Sequence, residues 1–274
     1  MSYLLASGCS WTDANFKSDI LPDYDCSFPK WPELLGKQLG ISEVVNVGKS
    51  GASNDSMFNK CYDQIAKRKP KLVCILISDW SRHSIFNYTL NIYDLLATDY
   101  VVSTKQLPKS LDYWRDWLDV EKSALAMSKK LWTEDLFVKD IVNNTLREIW
   151  LFQTFCEHHN IDYIIMSGLE PVIIYHLTLL DKYSAVDRGI TELSSYIKQT
   201  LKSPYANKLN EKNLLGWPIF EEIGGYSVWT NFVNRQPNTV FVDDKLDSHP
   251  NALGHKVISE LFYKGYQDIY GKIS

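Results

Sequence analysis

The five cysteines, Cys9, Cys26, Cys61, Cys74 and Cys156, are an odd number and form no CxxC pair. That usage fits neither a disulfide framework nor a cysteine zinc site, and it suits a reducing compartment. Dense basic runs are also missing, and the net charge over 274 residues is −4, which argues against a nucleic-acid-binding surface. No apolar stretch reaches the ~18 residues of a membrane-crossing helix. The N-terminal MSYLLASGCSW has a short apolar run with no basic residues ahead of it, so it reads as a buried strand rather than a signal peptide. The expected location on these grounds is cytoplasmic. There is no internal repeat or low-complexity segment. Neither a complete GxxxxGK[ST] phosphate loop nor a GxGxxG dinucleotide fingerprint occurs, which leaves a nucleotide site without support.

What the chain does have is aromatic residues: nine Trp, sixteen Tyr and eleven Phe, within an ordinary 45% hydrophobic and 23% charged composition. Core and interface packing accounts for most such rings. Trp114, Trp117, Trp132, Trp217 and Trp229 lie in segments that read as insertions. They are the candidates for a platform under sugar rings or for a contact with another subunit.

Short apolar runs alternate with amphipathic segments, the pattern of a parallel sheet covered by helices. Strands are expected at Tyr3–Ser7, Glu43–Gly48, Lys71–Ser78, Asp162–Gly168 and Asn238–Asp244. Helices are expected at Trp31–Gly40, Ser53–Lys69, about Glu134–His159 and about Asn251–Tyr270. The chain is long enough for one large domain carrying insertions at about 84–135 and 170–236. The expected fold is a three-layer α/β/α sandwich around a mainly parallel five-stranded sheet, flavodoxin-like in type. Ligands bind beyond the carboxyl ends of the strands in such a sheet. Ser10 follows the first expected strand, Gly48 and Gly51 the second, Ser78 to Arg82 the third and His249 the fifth, so all share one edge.

Three segments at that edge carry chemistry. In SGCSWT, Ser10 sits in a glycine-containing turn, which can present a hydroxyl together with backbone N–H groups; an ordinary capping serine looks the same in sequence. NVGKSGASN (Asn46–Asn54) is rich in Gly and Ser and runs into a helix start, so its N–H groups can converge on a developing negative charge. In DSHPNALGH, Pro250 restricts His249 to extended backbone and Asn251 reads as a helix cap. A nearby carboxylate, Asp247, would orient one ring nitrogen while the other takes a proton from a serine. His255 reads as a helix residue packed near the site, and His158 and His159 as helix-end structural residues. His83 and His176 have no evident partner.

Together these segments resemble the SGNH (GDSL-type) hydrolase family. Its Gly-Asp-Ser block appears as Gly8-Cys9-Ser10 with Thr12 also matching, its Asn-x-Gly-x-Ser-Gly loop as Asn46–Gly51, and its Asp-x-x-His-Pro block as the stretch ending His249-Pro250. The resemblance implies Ser10 as nucleophile, His249 as base, Asp247 as acid and Gly51 as an oxyanion donor, with no metal or organic cofactor. Two departures stand out. The family's Gly-x-Asn-Asp block is replaced by Ser78-Asp79-Trp80, without an Asn; Ser78, Ser81 or Arg82 would have to supply that donor, and Asn54 is a further polar residue at the same edge. The acid precedes His249 by two residues rather than three, Leu246 holding the family's position, so Asp247, Asp244, Asp243 or a backbone carbonyl is left to orient the imidazole.

The implied activity is hydrolysis of a small acyl ester, an acetyl group on a carbohydrate foremost, through an acyl-serine. The expected partners are therefore a small-molecule or glycan ester, no nucleic acid and no membrane span. The rival reading is a catalytically impaired SGNH-fold binding or structural module whose aromatic insertions contact glycan or protein, as a homo-oligomer or within a virion. The compact GCSWT, GxSN and DxHPN blocks also look like SGNH-like proteins of marine bacteriophages. An acyl transferase using the same acyl-serine is a further alternative.

Overall fold

The computed structural model of the chain describes residues 2–80, 82–87, 91–96, 135–169, 185–234, 237–243 and 246–271. A parallel sheet forms its centre. In chain order the elements are β1 (Tyr3–Gly8), α1 (Trp31–Gln38), β2 (Glu43–Asn46), α2 (Asn54–Lys67), β3 (Leu72–Ile77), β4 (Arg82–Asn87) and β5 (Asn91–Leu96). Then follow α3 (Asp135–His158), β6 (Asp162–Ser167), α4 (Ala185–Lys202), β7 (Leu214–Leu215), α5 (Val228–Asn234), α6 (Pro237–Val240), β8 (Phe241–Asp243), β9 (Asp247–Pro250) and α7 (Ala252–Tyr270).

The sheet order is β2-β1-β3-β6-β7, with every pair parallel. This is the doubly wound, flavodoxin-type order. All six residues of β1 and of β3 are buried, because helices cover both faces. Alternate side chains of β3 feed two cores. Val73, Ile75 and Ile77 pack with Phe58 of α2, with Ile141, Leu146 and Phe152 of α3 and with Tyr196 of α4. Leu72, Cys74 and Leu76 pack with Trp31 and Leu35 of α1 and with Ile258 and Phe262 of α7. Trp31 and Phe262 stack at 4.5 Å, joining the two helices of that layer.

Local chemistry sets the helix starts. Pro32 stands in the first turn of α1, and the Ser53 hydroxyl caps α2 by accepting from Ser56 N–H. Asn251 caps α7: its Oδ1 accepts from Leu253 and Gly254 N–H, while its Nδ2 donates to Phe241 C=O at 2.8 Å. The cap therefore ties α7 to β8.

One strand differs from expectation. The segment Asn238–Asp244 is not the fifth strand of the central sheet. Phe241–Asp243 pairs antiparallel with Asp247–Pro250 in a separate two-stranded sheet, and the fifth place belongs to Leu214–Leu215 beside β6. Among the described residues, the segment 170–236 supplies the edge strand β7 and the helices α4 and α5. The segment 84–135 contains most of the β4–β5 hairpin; Trp114, Trp117 and Trp132 lie outside the described residues. Among the described residues no helix is long and apolar enough to cross a membrane.

Candidate active site

β1 ends at Gly8, and the chain then turns tightly, with Thr12 and Asp13 N–H both donating to Cys9 C=O. A Cβ at Gly8 would stand 2.0 Å from Thr12 Oγ1, so only glycine lets this turn fold back on the strand end. Thr12 Oγ1 accepts from the Trp31 indole N–H at 3.1 Å, and Thr12 C=O accepts from Asn46 Nδ2 at 2.7 Å. The result is that Ser10 is presented at the strand end, 9% exposed.

The loop after β2 is clamped to this turn. Lys49 N–H donates to Gly8 C=O, and Asp13 Oδ2 accepts from both Ser50 N–H (2.9 Å) and Ser50 Oγ (2.8 Å). Gly51 follows in the left-handed region, at φ 79°. Among the described residues no acceptor meets its N–H.

The histidine arrives from β9. His249 Nε2 lies 2.8 Å from Ser10 Oγ, across 239 residues of sequence. His249 Nδ1 lies 2.5 Å from Asp247 Oδ1, which also accepts from His249 backbone N–H at 3.1 Å. An ionised carboxylate only accepts, so Nδ1 carries the ring proton and the Nε2 lone pair faces the Ser10 hydroxyl. Burial alone would raise the Asp247 pKa; hydrogen bonds from His249 and Ser18 outweigh it and hold the carboxyl below its ordinary range. Asp247 is 3% exposed. His255 stands behind this pair, its Nδ1 accepting from Trp31 N–H, and burial pushes its pKa down to about 3.

The structure thus brings together Ser10, Asp247 and His249, with Gly51 on the loop clamped beside the Ser10 turn. The other candidates are placed differently. Asn54 faces the turn after β3: its Oδ1 accepts from Ser78 N–H at 2.8 Å and its Nδ2 donates to Ser78 and Asp79 C=O. Its amide braces that turn. Ser78 is fully buried, and among the described residues neither its hydroxyl nor the Trp80 indole N–H has a hydrogen-bond partner. Ser81 and Asp244 lie outside the described residues, and Arg82 is described only as the backbone start of β4. Asp243 accepts from Leu246 N–H. Trp229 is buried against Trp11 and Phe241, so it is a core residue and not a sugar platform. Among the described residues no three His, Cys, Asp or Glu side chains gather as a metal site.

Two contacts have no signal in the sequence. Ser18 Oγ donates to Asp247 Oδ2, and the Phe16 ring stacks on the His249 imidazole at 4.3 Å. Both come from the aperiodic stretch between β1 and α1.

No protein-family model matches the chain, and no curated protein matches it. Solved structures similar to it include TesA, 13% identical over 98% of this chain and 99% of that one, with a TM-score of 0.47. A lipolytic protein of the G-D-S-L family from Desulfitobacterium hafniense is 15% identical over 97% and 99%, with a TM-score of 0.45. Axe2, an acetylxylan esterase from Geobacillus stearothermophilus, is 14% identical over 99% and 95%, with a TM-score of 0.42.

Proposed function

We propose that this chain is a serine esterase of SGNH type. The observation that carries the reading is the continuous relay from Asp247 Oδ1 through the His249 ring to Ser10 Oγ, at 2.5 and 2.8 Å. As Ser10 Oγ forms a bond to the ester carbonyl carbon, its proton passes to His249 Nε2. The imidazolium that results is stabilised by Asp247. The carbonyl electron pair moves onto oxygen, where the N–H groups of Gly51 and Ser10 receive it. Collapse expels the alcohol, which takes the proton from His249. Water, deprotonated by the same nitrogen, then attacks the acyl-serine, and Ser10 leaves with its proton restored.

The low exposure of Ser10 favours a compact acyl group such as acetyl over a long chain. An acetylated carbohydrate is the substrate class to screen first. The replacement of the family's third oxyanion donor favours slow turnover, since one such donor is typically worth ~10²–10³ in rate. Exposure to a serine-directed fluorophosphonate tests the reading: a single adduct on Ser10, absent in Ser10→Ala and strongly slowed in His249→Ala, supports it. An unlabelled wild-type chain overturns it and leaves the SGNH-fold binding module in its place.

A further inference from the structure

The Asp247 carboxylate reaches His249 from only two residues away, and Oδ1 alone serves both the backbone N–H and the ring Nδ1 of that histidine. A carboxylate held through one oxygen is free to rotate about its Cβ–Cγ bond. Here the second oxygen is held as well. Ser18, 4% exposed, has one hydroxyl hydrogen and uses its oxygen to accept from Leu21 N–H at 2.8 Å. The hydrogen is then left for Asp247 Oδ2, which can only accept. The same segment stacks Phe16 against the imidazole, with ring centroids 4.3 Å apart and planes at 30°.

We propose that Ser18 is a positioning residue of the catalytic machinery: its hydroxyl locks the rotation of Asp247, and with the Phe16 ring it holds His249 in the tautomer and orientation that face Ser10. This rests on the esterase reading and assigns the 13–30 segment a role in it. Fixing a side chain through a hydrogen bond to a charged partner is worth about ten-fold in rate when the bond is realised in the transition state.

The test joins kinetics to a readout independent of turnover. In the downfield ¹H spectrum the Nδ1 proton of His249, bonded to Asp247, gives a resonance that Asp247→Asn removes. Ser18→Ala is expected to move that resonance upfield and to lower kcat on p-nitrophenyl acetate about ten-fold with KM little changed. Ser18→Thr, which keeps the hydroxyl, is expected to restore both. A downfield resonance in Ser18→Ala identical to wild type overturns the proposal, as does a Ser18→Ala variant with wild-type kcat. A wild-type chain that shows the resonance and its Ser18 dependence but hydrolyses no ester sinks the esterase reading and leaves the lock standing.

Discussion

His255 makes acid stability a sharp test of the core behind the site. The side chain is 1% exposed, and its Nδ1 accepts from the Trp31 N–H at the start of α1 at 3.3 Å. Protonating that nitrogen would destroy the bond and place a charge beside the buried Lys30 ammonium. Burial, with Lys30 and His249 adding to it, accordingly holds the imidazole near pKa 3 against an ordinary 6.5. Between those values the unfolded chain binds a proton that the folded chain refuses, so stability falls as pH falls through that window. At about 1.36 kcal/mol per unit of full proton difference, the loss from pH 7 to pH 4 is about 3 kcal/mol. Asp162, whose pKa burial raises, acts in the opposite direction at the acid end. Asp247, whose pKa is lowered, loses its contribution only as pH falls through its folded value, below the carboxylate range. Urea denaturation at pH 7, 5 and 4 reads the effect as a midpoint that drops by about 1 M or more. His255→Gln offers an amide oxygen to Trp31 N–H without a titrating ring, and its midpoint is expected to change far less over the same range. A wild-type midpoint flat from pH 7 to pH 4, or an equal drop in His255→Gln, would show that His255 does not set the acid sensitivity.

Asn54→Ala removes the amide that braces the turn after β3 and leaves the buried Ser78 N–H without its acceptor. It is expected to cost about 1–3 kcal/mol, read as a lower thermal midpoint, with the Ser10 adduct still forming. Loss of labelling without loss of stability would instead return Asn54 to the substrate side. Gly51→Ala adds a Cβ that meets nothing within 4 Å but sits at φ 79°, a strain of about 1–2 kcal/mol. Relaxation turns its N–H away, so kcat/KM is expected to fall by up to about 10²-fold. Unchanged kcat/KM would remove Gly51 from the oxyanion role.

The central strands were legible because burial on both faces writes an unbroken apolar run: Leu72–Ile77 and Asp162–Ser167 stand within one residue of expectation at each end. The fifth strand was not. Leu214–Leu215 is two residues long, too short to show any period, whereas the longer run at Phe241–Asp243 looked like the better strand and pairs elsewhere. The local parts of the site were readable, since Pro250 and the Asn251 cap fix how His249 leaves β9. The choice among Asp243, Asp244 and Asp247 was open in sequence; the structure carries the Asp247 carboxylate to the imidazole. Ser18 and Phe16 were unreadable, because their partners lie more than two hundred residues away and the segment bearing them has no periodicity. Trp229 shows the converse: a tryptophan whose segment reads as an insertion lies in α5 and is a core residue, packed against Trp11 and Phe241.

Activation of Ser10 by His249 is read from initial rates on p-nitrophenyl acetate. The wild-type chain is expected to hydrolyse the ester well above the buffer background. Ser10→Ala and His249→Ala are each expected to lose activity by at least about 10³-fold, and the double variant to lose no more than either alone. A wild-type rate at background, or a rate unchanged by either substitution, would rule out a Ser10–His249 esterase.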